Sequence, residues 1–158
     1  MKRFKKLVGV AMASAMVFSM AGCGGSNGSG SGNADATTFK IGGTGPLTGG
    51  AAAYGQAVQN AAQLAVDEIN ANGGVNGYML ELNYQDDEHN AEKAVNAYNT
   101  LKDWGVQIVL GSVTSAPCIA VVDKTKEYNI FQLTPSGTAV ECTKHDNAFR
   151  VCFSDPAQ

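Results

Sequence analysis

From residue 39 onward the chain keeps one rhythm, and that rhythm limits what it can fold into. Short β-type runs empty into loops of glycine and hydroxyl residues, and each loop leads into an apolar pattern at helical spacing. The first run, 39–41, opens into the glycine-rich stretch 42–50, after which Val58, Ala61, Ala62, Ala65 and Ile69 recur at helical spacing. Asn72-Gly73-Gly74 ends that helix, glycine being the residue that accepts a left-handed conformation past a C-cap. In the second run Leu80, Leu82 and Tyr84 alternate with Glu81, Asn83 and Gln85, so one face is polar and the strand belongs near a sheet edge. A turn at Asp86-Asp87 leads to a helix through Ala91, Ala94, Val95, Tyr98 and Leu101, stopping at Gly105. The third run, 106–110, is apolar except for Gln107 and reads as a central strand, followed by a helix over 116–128 and a fourth strand over 130–133. Strands alternating with helices are βαβ units, and the fold class is α/β: an open parallel sheet flanked by helices.

The start of the chain reads differently. Residues 1–22 begin Met-Lys-Arg-Phe-Lys-Lys, pass through an apolar segment and end in small residues, the layout of a secretory signal. The apolar segment is short for a membrane span. Met20-Ala21-Gly22-Cys23 resembles the lipobox of bacterial lipoproteins, which makes Cys23 the lipidated first residue of the mature chain. The Gly/Ser-rich stretch that follows cannot bury enough surface to fold, so 23–38 is a flexible tether. Four of the 11 basic residues lie in the signal, leaving seven against 14 acidic ones, a balance of −7 that excludes a nucleic-acid partner.

An exported chain meets an oxidising compartment, and Cys118, Cys142 and Cys152 allow one bridge at most. Cys142 and Cys152 flank the polar turn 143–147 and are the candidate pair. Cys118 falls in a helical pattern with Ile119, Val121 and Val122 and reads as a small buried hydrophobe.

In open parallel sheets ligands bind beyond the carboxyl ends of the strands. Three loops occupy that edge, 42–50, 111–116 and 134–138, all rich in Gly, Ser and Thr. Hydroxyls and backbone amides at a helix N-terminus suit a small anion. Ser115, Thr138 and neighbouring amides are candidates to hold a carboxylate with no charged side chain present, which leaves room for a ligand that also carries an ammonium group. The same residues would equally serve as helix caps and turns.

Enzyme readings find less support. The stretch 43–48 departs from a dinucleotide fingerprint at Thr48, no phosphate loop exists, and no nucleophile elbow surrounds Ser112, Thr114 or Ser115. Asp86-Asp87-Glu88-His89 could offer metal ligands, but four consecutive residues do not face one point, so the run reads as a strand-end turn and helix N-cap. His145 reads as solvated, and Trp104 and Tyr98 as core. No metal, cofactor or catalytic residue is expected.

Several motifs resemble those of the branched-chain amino-acid type of ABC-transporter substrate-binding proteins, the type I periplasmic binding proteins. They are Gly45-Pro46-Leu47-Thr48-Gly49 with Tyr54-Gly55, the run from Ala65 through Gly77, Tyr84-Gln85-Asp86-Asp87, Val109 through Ser115, and Thr134 through Thr138. The resemblance spans 39–158 and implies the N-terminal lobe of a two-lobed, clam-shell protein, ending near the first hinge with the second lobe incomplete. It implies that Ser115 and Thr138 hold an amino acid's carboxylate, and that the Ser136 carbonyl and the Thr138 hydroxyl meet the ammonium. Tyr54 would line the side-chain pocket, with Val113 and Thr114 supplying wall and backbone. The implied partners are an amino acid or amide ligand, an ABC permease, and the membrane through a lipid anchor on its outer face. The alternative reading is a ligand-sensing domain of the same fold.

Overall fold

The computed structural model describes residues 38–155; the expected signal peptide 1–22, the expected lipidation at Cys23 and all but the last residue of the expected tether 23–38 lie outside the described residues. Five parallel strands form one sheet: β1 (Thr38–Gly45), β2 (Met79–Asp86), β3 (Ile108–Leu110), β4 (Phe131–Thr134) and β5 (Ala148–Arg150), in the order β2-β1-β3-β4-β5. Three helices connect them: α1 (Ala52–Ala71), α2 (Ala91–Trp104) and α3 (Ser115–Glu127). The alternating strand β2 lies at the edge and the apolar strand β3 in the middle, as their side-chain patterns require.

Boundaries moved where packing overrode local signals. β1 continues through Gly42, Gly43 and Gly45 because these glycines serve close approach rather than a turn. A Cβ on Gly42 would sit 2.7 Å from Val106 and 2.9 Å from Leu101, and one on Gly43 would enter the Tyr84 ring. The cap of α2 is Asn90, whose side chain accepts from the Lys93 N–H, and not the Asp86-Asp87 pair. Gly105, left-handed at φ 89°, closes the same helix.

The connection β1-α1-β2 steps one way along the sheet and β2-α2-β3 steps back, so right-handed crossovers put α1 on one face and α2 with α3 on the other. The second face is the better covered. Ala94, Tyr98, Leu101, Val106, Val109 and Val121 form its core, with Trp104 and Ile130 packed at the margin. On the first face α1 packs against β1 and β2. Beyond it the apolar face stays open: Phe131 and Phe149 stack with centroids 5.3 Å apart and remain exposed. A hollow of about 620 Å³ beside Phe39, Ile41, Val75, Tyr78, Leu80 and Ile108 extends this strip.

The cysteines correct an expectation. The Cys142–Cys152 bridge is not formed, and Cys118, Cys142 and Cys152 are all thiols. The 3-10 turn Val140–Thr143 directs Cys142 inward, its Sγ 3.7 Å from the Ser115 carbonyl, whereas the Cys152 Sγ meets the Gly137 carbonyl at 3.7 Å. No described helix is long and apolar enough to cross a membrane.

Because Leu101 is fully buried between α2 and the sheet, Leu101→Ala should destabilise the fold by about 2–5 kcal/mol. Phe131→Ser, on the open face, should cost far less. Urea unfolding of both variants against the parent chain measures the contrast, and equal losses would contradict this assignment of the core.

Candidate functional site

The carboxyl ends of the strands are held in register by side chains that bond the backbone of neighbouring loops. Gly111 has φ 139°, and a Cβ there would lie 2.3 Å from the Thr44 carbonyl oxygen, so only glycine fits. Its carbonyl accepts from the Gln132 amide at 2.9 Å, and Thr125 donates to the other end of that amide at 2.7 Å. The Thr134 hydroxyl donates to the Ser112 carbonyl at 2.7 Å and accepts from the Gly137 N–H at 3.0 Å. Thr44 and Ser112 share a hydroxyl–hydroxyl bond of 2.8 Å, and Ser136 donates to the Val113 carbonyl at 2.6 Å. Thr44, Ser112, Thr125, Gln132 and Thr134 are all buried and all bonded, the condition under which buried polar groups stabilise a fold.

The acidic run after β2 organises the other side. Asp86 accepts from Leu47 N–H (2.8 Å), Thr48 hydroxyl (2.6 Å) and Glu88 N–H (2.8 Å), and so anchors the loop after β1. Burial acts to raise its pKa, but the Thr48 hydroxyl and the backbone donors outweigh that and hold the carboxyl below its ordinary value of 3.8. A depressed folded pKa means the anchor is in place above the ordinary carboxylate range and is lost as pH falls through the folded value. Asp87 is fully buried; burial pushes its pKa up, opposed by the His89 N–H that donates to it at 3.0 Å, and its Oδ2 has no hydrogen-bond partner among the described residues. Glu88 (φ 48°) and His89 (φ 58°) are both left-handed, a conformation costly for two successive non-glycine residues and held here by the two aspartates.

That turn aims His89 at the start of α3, where its Nδ1 pairs with the Thr114 hydroxyl at 2.8 Å. Thr114 occupies the N-cap position of α3, yet its side chain makes no cap hydrogen bond. Pro117, third residue of the helix, has no N–H to cap. Among the described residues no acceptor takes the N–H of Ser115 or Ala116, and the first turn of α3 presents two free donors with the positive end of the helix dipole.

Ser115 and Ala116 line a hollow of about 530 Å³ together with Ala51, Tyr54, His89, Val113, Thr114 and Ser136. Five of the six residues picked out from the sequence therefore meet at one place: Tyr54, 67% exposed in the first turn of α1, Val113, Thr114, Ser115 and Ser136. Val113 is fully buried, its side chain packed beside Gly45. Thr138 is not among the lining residues. Its carbonyl accepts from Arg150 at 2.6 Å and from the Asp155 N–H at 2.9 Å. His89 is the wall residue that sequence reasoning passed over, because its run was weighed only as a metal site or a turn. Among the described residues no group of three or more His, Cys, Asp or Glu could hold a metal ion.

A profile of the family described as periplasmic binding protein matches residues 38–158. The chain belongs to the periplasmic binding protein family. It is 42% identical over 115 residues to the Leu/Ile/Val-binding protein BraC3 of Rhizobium johnstonii, covering 72% of this chain and 31% of that one. It is 38% identical over 108 residues to the leucine-, isoleucine-, valine-, threonine- and alanine-binding protein of Pseudomonas aeruginosa, covering 68% and 29%. Among solved structures, the branched-chain amino-acid transporter substrate-binding protein LivJ of Streptococcus pneumoniae, in complex with isoleucine, superposes with a TM-score of 0.70. That match has 35% identity and covers 75% of this chain and 34% of that one. The chain thus spans about a third of the length of the relatives it matches. The open parallel sheet with helices on both faces is the lobe architecture of type I periplasmic binding proteins.

In His89→Ala the Thr114 hydroxyl loses its partner and becomes free to cap the Ala116 N–H. Since an N-cap is worth about 0.5–2 kcal/mol, the variant should be as stable as the parent or more so in urea unfolding. A loss of stability that persists in the Thr114→Val background would contradict this account of the pair.

Proposed function

We propose that this chain carries the head-group site of an extracytoplasmic solute-binding protein that delivers a branched-chain or similar amino acid to an ABC permease. The observation that carries the reading is the uncapped start of α3, where Ser115, whose hydroxyl accepts from the Ala139 N–H at 3.4 Å, and Ala116 line a hollow with no lysine or arginine in its wall. A carboxylate accepts from the amides of Ser115 and Ala116 and gains from the helix dipole, and the absence of fixed positive charge leaves the neighbouring ammonium unopposed. In this reading the Ser136 carbonyl and the Thr138 hydroxyl serve the ammonium, Thr138 through a rotation about a backbone already fixed by Arg150. The exposed ring of Tyr54 supports an apolar ligand side chain.

The LivJ match with bound isoleucine and a Desulfitobacterium hafniense substrate-binding protein in complex with Leu, 30% identical with a TM-score of 0.66, favour a ligand of this class. The reading includes export by residues 1–22, anchoring through lipidated Cys23 and a tether over 23–38, which would keep the protein at the outer face of the membrane beside its permease. It gives the chain no catalytic role.

Calorimetric titration of the full-length protein with leucine, isoleucine, valine, small amides and urea tests this. Saturable binding of the branched-chain amino acids is expected. Ser115→Ala should weaken it by about 1.5–3 kcal/mol, the worth of a hydrogen bond to a charged group. No heat with any amino acid would overturn the reading.

A further inference from the structure

Cys118 and Cys142 stand 24 residues apart in sequence and meet in the interior. Cys118 lies one turn beyond Ser115 in α3, and Cys142 is the third residue of the turn Val140–Thr143. Both are fully buried. The Cys118 Sγ is 3.9 Å from the Cys142 carbonyl, and the Cys142 Sγ is 3.7 Å from the Ser115 carbonyl, one turn before Cys118. Cys152, half-buried, turns its sulfur to the Gly137 carbonyl instead.

We propose that Cys118 and Cys142 are joined by a disulfide in the exported protein, with Cys152 left as a thiol. The compartment follows from the proposed function; the pairing rests on the contact alone. Oxidising compartments favour such bridges, and each of these two buried sulfurs lies beside backbone of the other's segment, at 3.9 and 3.7 Å. The bridge would tie the first turn of α3, which carries Ser115 and Ala116, to the segment just after the 134–138 loop. Two of the loops around the hollow would then be covalently linked.

The chemistry needs an exogenous oxidant of the low-molecular-weight disulfide class, such as oxidised glutathione. Either thiol can open the exchange; written for Cys142, its thiolate, the proton lost to water, is the attacking group. It displaces one thiolate from the oxidant and forms a mixed disulfide. Cys118, its proton lost to water, then attacks the Cys142 sulfur and displaces the second. The two cysteines lose two electrons and two protons in all, and the oxidant becomes two thiols. The attack takes place during folding, before both sulfurs are sealed from solvent.

The test refolds the full chain in a buffer of reduced and oxidised glutathione, blocks remaining thiols, and maps peptides by mass without reduction. The expected result is one linked pair of peptides carrying Cys118 and Cys142, lighter by two hydrogens than the sum of the free peptides, with Cys152 blocked as a thiol. Cys152→Ser should keep the link, and reductant should lower the urea midpoint of that variant while leaving Cys118→Ser/Cys142→Ser unchanged. A Cys142–Cys152 link, a link through Cys23, or blocked thiols at both Cys118 and Cys142 would overturn the proposal. None of these readouts depends on whether an amino acid binds.

Discussion

The carboxyl edge of the sheet depends on buried side chains that bond the backbone of residues 111–113. Gln132 and Thr134 reach across from β4 to the carbonyls of Gly111 and Ser112, and Thr44 reaches from β1 to the Ser112 hydroxyl. Unpaired, any of these polar groups would destabilise the interior by about 1–3 kcal/mol, so the strand ends can sit close only while all of them are paired. That mutual requirement fixes where α3 begins, and everything placed around its first turn inherits the precision. It also answers why a buried strand should empty into glycine and hydroxyl residues. Glycine lets the loop backbone pass against Thr44, and the hydroxyls knit one loop to the next.

The first turn of α3 is the exception to this pattern of satisfied donors. An N-cap threonine ordinarily turns its hydroxyl onto its own helix, but here His89 holds it away. The turn that presents His89 needs two successive left-handed residues, and the carboxylates of Asp86 and Asp87 hold it in place. Strain in one loop thus keeps donors open in another. Local backbone strain concentrated beside a concave, polar-lined surface is a mark of a binding site.

Much of this was legible in the residues because periodicity reports burial. The alternation of Leu80, Leu82 and Tyr84 with polar neighbours placed β2 at an edge, and the apolar run ending at Leu110 placed β3 at the centre. What stayed hidden depended on contacts across the fold. β5 is three residues long, too short for any alternation to register. The glycines of β1 read as a turn, although their reason for being glycine is Leu101, Val106 and Tyr84, distant in sequence. Cys142 and Cys152 looked paired because they flank one short turn, whereas a 3-10 turn faces Cys142 toward α3. His89 became a wall residue only when the parallel register brought the ends of β2 and β3 to the same edge of the sheet. Thr138, whose residue type suited the site, is not among the residues that line the hollow.

The central claim is that the free amides of Ser115 and Ala116 receive a ligand carboxylate. Amide NMR of the full-length protein, titrated with leucine and separately with leucinol, which lacks the carboxylate, addresses it at those two atoms. Leucine should shift the Ser115 and Ala116 amide resonances downfield in a saturable manner, and leucinol should leave them in place. Saturable leucine binding with both resonances unmoved, or equal shifts from leucinol, would contradict the account.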